Sequence, residues 1–220
     1  MSDLGHNSAN ADYPGFFLTV EGGEGAGKTT SIEFISTWLK ERNIDFIQTR
    51  EPGGTPFAER IRELLLAPGD EKVADMTELL LMFAARAQHI ESVIKPALAA
   101  GKLVLSDRFT DASFAYQGAG RGLSLKALST LESLVQGELR PDMTLLLDLP
   151  VEVGMARASG RGELDRIEQE KTDFFVRVRQ GYLARADDEP QRFEIVDASQ
   201  SIENVQVAIA EVLGKRVNHG

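Results

Sequence analysis

Residues Gly22 to Thr29, with the sequence GGEGAGKT, have the types and spacing that bind a polyphosphate. They satisfy the pattern Gly-x-x-x-x-Gly-Lys-Ser/Thr of a phosphate loop in full. Glycines let backbone N–H groups close around phosphate oxygens, Lys28 adds a positive charge, and the Thr29 hydroxyl can ligate magnesium. A glycine-rich turn that merely connects a strand to a helix is the alternative. The complete pattern favours nucleoside triphosphate binding.

The nucleotide-binding residues predicted from this loop form one continuous segment. The same loop serves switches, motors and kinases, so its use must be inferred from the rest of the chain. The Asn-Lys-x-Asp motif by which guanine switches read their base does not occur in the sequence. The predicted nucleotide-binding residues are Gly22, Gly23, Glu24, Gly25, Ala26, Gly27, Lys28, Thr29 and Thr30.

An acid and a base stand side by side at Asp107 and Arg108, directly after a short apolar run. If that run is a strand, the pair lies at the carboxyl edge of a parallel sheet, where ligands bind in open α/β folds. Asp107 is then suited to hold magnesium or its water, and Arg108 to clamp a phosphate. A surface ion pair at a strand end is the alternative.

Three further arginines lie in motifs that could bring positive charge to bound phosphate groups. Arg50 lies in TREPGGT, Arg86 in LLLMFAARAQ and Arg121 in AYQGAGRG. Each has a simpler interpretation: a residue before a turn, a solvated residue on an apolar helix, and a loop charge. Together they supply the charge that a site for several phosphates needs in an acidic protein.

The elements that position these residues alternate between short apolar runs and helical patterns. Such alternation predicts a parallel sheet with helices on both faces, connected by right-handed crossovers. We therefore predict an α/β fold with five strands. The predicted strands are Phe16 to Val20, Phe46 to Thr49, Leu103 to Ser106, Thr144 to Leu149 and Phe193 to Val196.

Capping signals predict where several helices begin and end. Thr55 before Pro56 is typical of an N-cap with proline at the first helical position. Asp75, with Glu78 three residues later, resembles a capping box. Pro96 is expected to kink or divide the long helical stretch that follows.

Composition limits the functional classes. The chain has 220 residues, 42% of them apolar and 26% charged, which is typical of a globular protein. With no cysteine, it has no disulfide or thiolate metal site, and we expect a cytoplasmic protein. A net charge of −10 argues against binding a nucleic acid polymer. No apolar run is long enough to cross a bilayer, so no membrane partner is expected.

The domain organisation is simple. Residues 1–15 are small, polar and rich in turn formers, which predicts a flexible N-terminal tail. Residues 16–220 are predicted to form a single domain. Within it, the Gly- and Arg-rich run at 158–166 interrupts the apolar pattern and is predicted to be a mobile lid.

The motifs in combination resemble bacterial thymidylate kinases, which transfer the terminal phosphate of ATP to dTMP to give dTDP. The resemblance covers nearly the whole chain after the tail. It implies the three-layer P-loop nucleoside monophosphate kinase fold, with a five-stranded parallel sheet. It rests on EGGEGAGKTT (21–30), TREPGGT (49–55), LLLMFAARAQ (79–88), SDR (106–108), AYQGAGRG (115–122), RPD (140–142) and RGELDRIE (161–168).

The resemblance also implies roles for individual residues. Glu24 is expected to reach the sugar 3′-hydroxyl of dTMP, and Tyr116 to crowd the 2′ position. Arg50 and Arg108 match arginines near the acceptor phosphate. The expected substrate-binding residues are Glu24, Arg50, Phe83, Arg86, Arg108, Ser113, Tyr116 and Gln117, with Phe83 stacking on the thymine base and Arg86 hydrogen-bonding it.

Some relatives carry an arginine inside the phosphate loop, whereas this chain resembles those that place it in the lid. The candidates are Arg157, Arg161 and Arg166, and Arg161 is favoured because glycines flank it. One position departs from the family pattern. Phe109 follows the Asp-Arg pair, where tyrosine or histidine is frequent, so a polar contact is lost there.

These inferences predict direct phosphoryl transfer from ATP to dTMP with Mg²⁺ as cofactor. The predicted catalytic residues are Lys28, Arg108, Asp107 and Arg161, and the predicted metal ligands are Thr29 and Asp107. The resemblance implies a homodimer. A related kinase for another nucleoside monophosphate is the nearest alternative, and a P-loop regulator that phosphorylates no small molecule is a second.

Overall fold

The opening apolar run forms the central strand of a five-stranded sheet in which all strands are parallel. The computed structural model describes residues 13–67, 69, 71–158, 165–168 and 170–217. The strand order is β2-β3-β1-β4-β5, which confirms the predicted sheet. The strands are β1 (Phe16–Gly22), β2 (Phe46–Arg50), β3 (Leu103–Asp107), β4 (Met143–Asp148) and β5 (Phe193–Asp197).

Helices cover both faces of this sheet. Successive residues of β1 point to opposite sides, and all of them are buried, so both faces need a covering layer. Leu18 packs in the same core cluster as Ile35 and Ile209, whereas Phe17 packs in another with Ile94. The helices are α1 (Lys28–Glu41), α2 (Pro56–Leu66), α3 (Asp75–His89), α4 (Lys95–Ala99), α5 (Thr110–Ser113), α6 (Leu125–Gln136), α7 (Val151–Ala158), α8 (Thr172–Asp188) and α9 (Ile202–Arg216).

The two capping predictions have different outcomes. Thr55 caps α2 as predicted: its side chain accepts a hydrogen bond from the Ala58 N–H at 3.0 Å. The capping box at Asp75 and Glu78 is wrong, since the N-cap of α3 is Ala74 and has no side-chain cap bond. Glu78 is instead buried, because tertiary contacts from distant arginines engage its carboxylate.

The long helical stretch is divided near Pro96 as predicted. α3 passes into a π-helical segment, Ile90–Ile94, and α4 carries Pro96 in its first turn. Proline has no N–H to donate to the preceding turn, which accounts for the change of helix type. Gly101 then ends the stretch with a φ of +76°, and its N–H donates to the Leu98 carbonyl at 3.0 Å.

Both predicted mobile segments fall largely outside the described residues. Residues 1–12 of the predicted tail and 159–164 of the predicted lid are not described. Where description begins, the Gly15 N–H donates to the Leu98 carbonyl at 3.0 Å. Across the described chain, every helix is too short or too polar to span a bilayer.

Candidate active site

Sheet register brings the phosphate loop and the Asp-Arg pair together. Val20 of β1 pairs with Asp107 of β3, so the two strands end side by side. The loop leaves β1 at Gly22 and enters α1 at Lys28. A cleft of about 220 Å³ opens at this edge. Nine predicted site residues line it: Glu24, Lys28, Thr29, Arg86, Asp107, Arg108, Ser113, Tyr116 and Gln117.

The phosphate loop has the conformation that its glycines predict. Gly25 and Gly27 have φ values of +69° and +81°. A Cβ on Gly25 would lie 2.0 Å from the Gly154 carbonyl oxygen, so only glycine fits there. The Lys28 ammonium donates to the carbonyl oxygens of Gly22 and Gly23 at 3.1 and 3.2 Å. Burial, together with the charge of Arg108, lowers the pKa of Lys28.

Arg108 follows β3 at the phosphate-loop end of the cleft and has a left-handed backbone conformation, with φ at +69°. Its Nη1 donates to the Tyr182 hydroxyl at 2.9 Å, and its Nη2 donates to the Tyr116 hydroxyl at 2.9 Å. Nη2 also approaches the Glu24 carboxylate at 3.1 Å, and the Tyr116 hydroxyl donates to that carboxylate at 2.7 Å. The three side chains therefore hold the guanidinium in place.

Arg86 occupies the other end of the cleft and is buried. Its Nε donates to Glu51 Oε2 at 2.7 Å, and its Nη2 donates to Ser113 Oγ at 3.1 Å. Burial opposes the charge of Glu51, but Arg86 and His89 lower its pKa below the ordinary value. The interpretation of Arg86 as a solvated helix residue is wrong.

Two buried polar atoms at this end have no hydrogen-bond partner within the described chain: Arg86 Nη1 and Gln117 Oε1. Both residues line the cleft. Buried polar atoms are normally paired, so an unpaired donor and acceptor on one cleft indicate a polar ligand. Gln117 lies on a π-helical segment, Phe114–Gly120, a conformation that is frequent at functional sites.

Two aromatic residues differ in their relation to the cleft. Phe109 lines it and packs edge-on against Phe17, with ring centroids 4.9 Å apart. Phe83, the expected stacking residue, does not line the cleft and packs with Phe114 in a core cluster. Its ring lies beneath the Arg86 guanidinium, 4.6 Å from the centroid.

Asp107 and Thr29 line both this cleft and a neighbouring cavity of about 460 Å³. Asp107 Oδ1 is buried and has no hydrogen-bond partner among the described residues. A free carboxylate oxygen and a hydroxyl that line the same cavity are hard oxygen ligands of the kind that Mg²⁺ takes together with phosphate oxygens and water. The two residues therefore fit the predicted metal. Over the same described ranges, no cluster of three or more His, Cys, Asp or Glu side chains forms a self-sufficient metal site.

Comparison with known proteins decides the family. The sequence model described as thymidylate kinase matches residues 20–209. The chain belongs to the thymidylate kinase family. It is 62% identical over 199 residues to a thymidylate kinase of Pseudomonas entomophila, covering 90% of this chain and 95% of the relative. One from Pseudomonas putida is 61% identical over 197 residues, with the same coverage.

A solved structure agrees with this assignment. The crystal structure of thymidylate kinase from Ehrlichia chaffeensis matches with a TM-score of 0.73 at 31% identity, covering 90% of this chain and 98% of that one. The predicted thymidylate kinase fold and the phosphorylation of dTMP are thereby confirmed. The alternative, a related kinase with another acceptor, gains no support from these relatives.

The remaining predicted arginines, Arg50 and Arg121, lie at different places in the structure. Arg50 pairs with Glu59 at 2.7 Å and lines the neighbouring cavity with Asp107 rather than the cleft. Arg121, which the sequence grouped with the phosphate-binding arginines, does not line the cleft. Its guanidinium lies 3.3 Å from Glu78 and contacts Glu170, because carboxylates from two other segments meet it outside the cleft.

Arg62 lines the cleft of the kinase but was not predicted from the sequence. Its Nη1 donates to the Pro52 carbonyl at 3.0 Å. The spacing of α2 could have indicated that Arg62 faces inward. Arg62 lies four residues after Ala58 and three before Leu65, and both of those residues are buried. A charged residue on the buried face of a helix indicates a partner or ligand.

The described lid arginines are both held by backbone carbonyls. Arg157 donates to the Ala198 carbonyl at 2.8 Å. Arg166 donates to the Leu65 carbonyl at 2.8 Å and to Glu78 at 2.7 Å. Arg161, the favoured candidate for the transferred phosphate, lies outside the described residues.

Proposed function

We propose that the cleft binds dTMP beside the phosphate loop and carries out in-line transfer of the γ-phosphate of ATP to it. One observation supports this most strongly. A single cleft joins Lys28 and Arg108 at one end to the unpartnered Arg86 Nη1 and Gln117 Oε1 at the other. Cations at one end suit phosphates, and a free donor and acceptor at the other suit a pyrimidine edge.

The acceptor phosphate is proposed to bind Arg108 and Arg62, which line the cleft. Arg50, which the family resemblance also implies here, lines the adjoining cavity. Glu24 is proposed to bind the 3′-hydroxyl, and Tyr116 to exclude a 2′-hydroxyl. The hydrogen bond from Tyr116 to Glu24 at 2.7 Å fixes the two side chains relative to each other, which supports discrimination at the sugar.

The thymine base is proposed to bind between Arg86, Ser113 and Gln117. Glu51 and Ser113 hold the Arg86 guanidinium, leaving Nη1 free for the base. Phe83 supports Arg86 from beneath in this arrangement. Stacking of Phe83 on the base stays a prediction.

ATP is proposed to reach the phosphate loop from the opposite side. A cavity of about 410 Å³ borders the loop and is lined by residues of α9 and by Arg157. Its lining includes Gly25, Gly27 and Ile202, so it adjoins the segment that would hold the phosphates. An adenine ring in this cavity places the triphosphate along the loop towards Lys28.

Transfer needs little covalent chemistry from the protein. The acceptor phosphate is already anionic near neutral pH, so no general base is required. Lys28 and Arg108 neutralise charge on the transferred phosphate, and both side chains are positioned before the transfer begins. Arg161 of the lid is proposed to join them, and closure of the lid would exclude water that diverts ATP to hydrolysis.

Magnesium is proposed as the cofactor, held by Thr29 and Asp107 with phosphate oxygens of ATP. When bound, the ion neutralises phosphate charge and orients the terminal phosphate. The unpartnered Asp107 Oδ1 supports this role.

We also propose a cytoplasmic homodimer. The absence of cysteine suits a reducing compartment. On α3, Met76 and Leu80 are 43% and 50% exposed, and on the adjacent α2, Leu64 is 64% exposed. Large exposed apolar side chains on two packed helices are typical of an interface. Light scattering would give about twice the 24.1 kDa chain mass, and Leu80→Glu should shift the protein to monomer.

A coupled assay tests the acceptor assignment. The protein is incubated with ATP, Mg²⁺ and dTMP, dUMP, dCMP, dGMP or AMP, and nucleoside diphosphate is measured. We expect dTMP to give the highest kcat/KM. A higher kcat/KM for any other acceptor would overturn the proposed base site.

A further inference from the structure

Glu21, the residue before the phosphate loop, hydrogen-bonds two groups next to Arg108: the Phe109 amide and the Tyr182 hydroxyl. It lies at the end of β1 and is completely buried. We propose that Glu21 is a positioning residue for phosphoryl transfer, which holds Arg108 in its productive conformation through the Phe109 amide and the Tyr182 hydroxyl. The inference rests on the proposed role of Arg108.

The backbone contact fixes an unusual conformation. Arg108 has a φ of +69°, in the left-handed region that residues other than glycine rarely adopt. The next amide, Phe109 N–H, donates to Glu21 Oε1 at 2.7 Å. The Arg108 carbonyl accepts from Ser106 Oγ at 2.7 Å, and its N–H donates to the Val20 carbonyl at 3.0 Å. Glu21 thus supplies the side-chain acceptor for the amide that follows the strained residue.

Glu21 is linked to the Arg108 side chain through the hydroxyl of Tyr182. The Tyr182 hydroxyl donates to Glu21 Oε2 at 2.8 Å and accepts from Arg108 Nη1 at 2.9 Å. Tyr182 belongs to α8 and is 1% exposed, so its ring has little freedom. The carboxyl of Glu21 therefore fixes where the guanidinium points as well as where its backbone turns.

The protonation of Glu21 suits this role. Burial, and then the nearby charge of Asp111, raise its pKa to about 8, against the opposing effects of Arg108 and Tyr182. Lys28 also interacts with Glu21 electrostatically. At neutral pH the carboxyl is mostly uncharged. Its proton then lies on Oε2 and is donated to the Tyr182 hydroxyl oxygen, whereas the ionised form accepts from that hydroxyl; Oε1 accepts from the Phe109 amide in both forms. Glu21 thus positions Arg108 by hydrogen bonds without neutralising the charge that phosphate groups need.

The first test compares two substitutions with a control. Glu21→Leu removes both hydrogen bonds, and we expect kcat to fall about 100-fold with KM for ATP within about threefold of the wild type. Glu21→Gln keeps an acceptor for Phe109 and a partner for Tyr182, and should retain kcat within about threefold. The control, Glu132→Leu, removes another mostly buried carboxyl from α6, outside the cleft, and should leave kcat unchanged.

A double-mutant cycle shows whether the effect passes through Arg108. Arg108→Ala alone should lower kcat by at least about 100-fold, and adding Glu21→Leu should lower it by less than about threefold more. Additive losses, or a Glu21→Gln variant as slow as Glu21→Leu, would overturn the positioning role while leaving the proposed role of Arg108 intact. Full turnover in Arg108→Ala would overturn both.

Tyr182→Phe provides a second route if Glu21→Leu does not fold. It removes only the hydroxyl between Glu21 and Arg108. We expect kcat to fall about tenfold, with the loss disappearing in the Arg108→Ala background. Unchanged kcat in a folded Tyr182→Phe protein would overturn the proposed link to the side chain.

Discussion

Arg86 and Glu51 form an ion pair at 2.7 Å, with each side chain only 3% exposed. Removing one partner from a buried pair strands the other charge, which typically costs about 3–5 kcal/mol. The pair therefore makes the base end of the cleft both rigid and sensitive to substitution. His89 completes it, with Nδ1 2.9 Å from Glu51 Oε1.

Arg86→Ala is expected to weaken dTMP binding by about 10- to 100-fold and to leave ATP binding within about threefold. The reason is that Arg86 lines the cleft and its Nη1 has no partner within the described chain, while the rest of the guanidinium is engaged. Calorimetry with each nucleotide measures this. Arg140→Ala breaks an ion pair with Glu132 away from the cleft and should change neither affinity. Equal losses for both nucleotides in Arg86→Ala would contradict the base-reading role.

Lys28→Ala should fold normally and lose at least about 100-fold in kcat. The Lys28 ammonium bonds only backbone carbonyls among the described hydrogen bonds, so its removal breaks no ion pair and creates little strain. Steady-state kinetics with a thermal unfolding control measures both properties. Turnover near the wild-type value would show that the charge assignment is wrong.

Asp107→Asn should raise the Mg²⁺ concentration needed for half-maximal activity by at least about tenfold. The substitution keeps size but removes the charge of the unpartnered oxygen that we assign to the ion. Activity is titrated against Mg²⁺ at saturating ATP and dTMP. Asp148→Asn alters another carboxylate at a strand end, one that already pairs with Arg179 at 2.7 Å, and should leave the Mg²⁺ dependence unchanged. An unshifted titration in Asp107→Asn would remove the residue from the metal site.

The three lid arginines should give different kinetic defects. Arg161→Ala is expected to lower kcat about 100-fold with little change in dTMP affinity. Arg157→Ala should raise KM for ATP, because Arg157 borders the cavity assigned to adenine. Arg166→Ala should raise KM for dTMP, because Arg166 anchors a cleft wall that includes Ile167. A large kcat loss in Arg166→Ala with normal turnover in Arg161→Ala would reverse the assignment.

The contribution of Glu21 to stability should fall as pH rises from about 5 to about 9. Its folded pKa is about 8, above the ordinary 4.5, so the folded protein binds this proton more tightly than the unfolded chain. Its stabilising contribution is complete below the unfolded pKa and is lost as pH rises through the folded pKa, amounting to a few kcal/mol.

Urea unfolding at several pH values tests this contribution. Glu21→Gln does not titrate, so its free energy of unfolding should fall less steeply over that range than that of the wild type. Asp111, whose pKa is lowered to about 2, affects stability only at more acidic pH and leaves the comparison clear. Parallel curves for the two proteins would refute the raised pKa.

Predictions from local sequence patterns were mostly confirmed, whereas some that depended on distant partners failed. Thr55 was identified as an N-cap because the bond it makes closes within three residues. Glu78 fits an equally good local pattern, but arginines 43 and 88 residues away bind its carboxylate instead. Arg62 was missed for a related reason, since its α2 face becomes a cleft wall only when other elements pack beside it.

The sequence by itself determined the alternation of strands and helices, the phosphate loop and the set of motifs that assigns the family. These depend on spacing along the chain and on backbone preferences, which act over a few residues. Only the tertiary structure decided which charges meet. Arg108 lies against Glu24 across 84 residues of sequence and Tyr182 against Glu21 across 161, because parallel strands and packed helices bring them together.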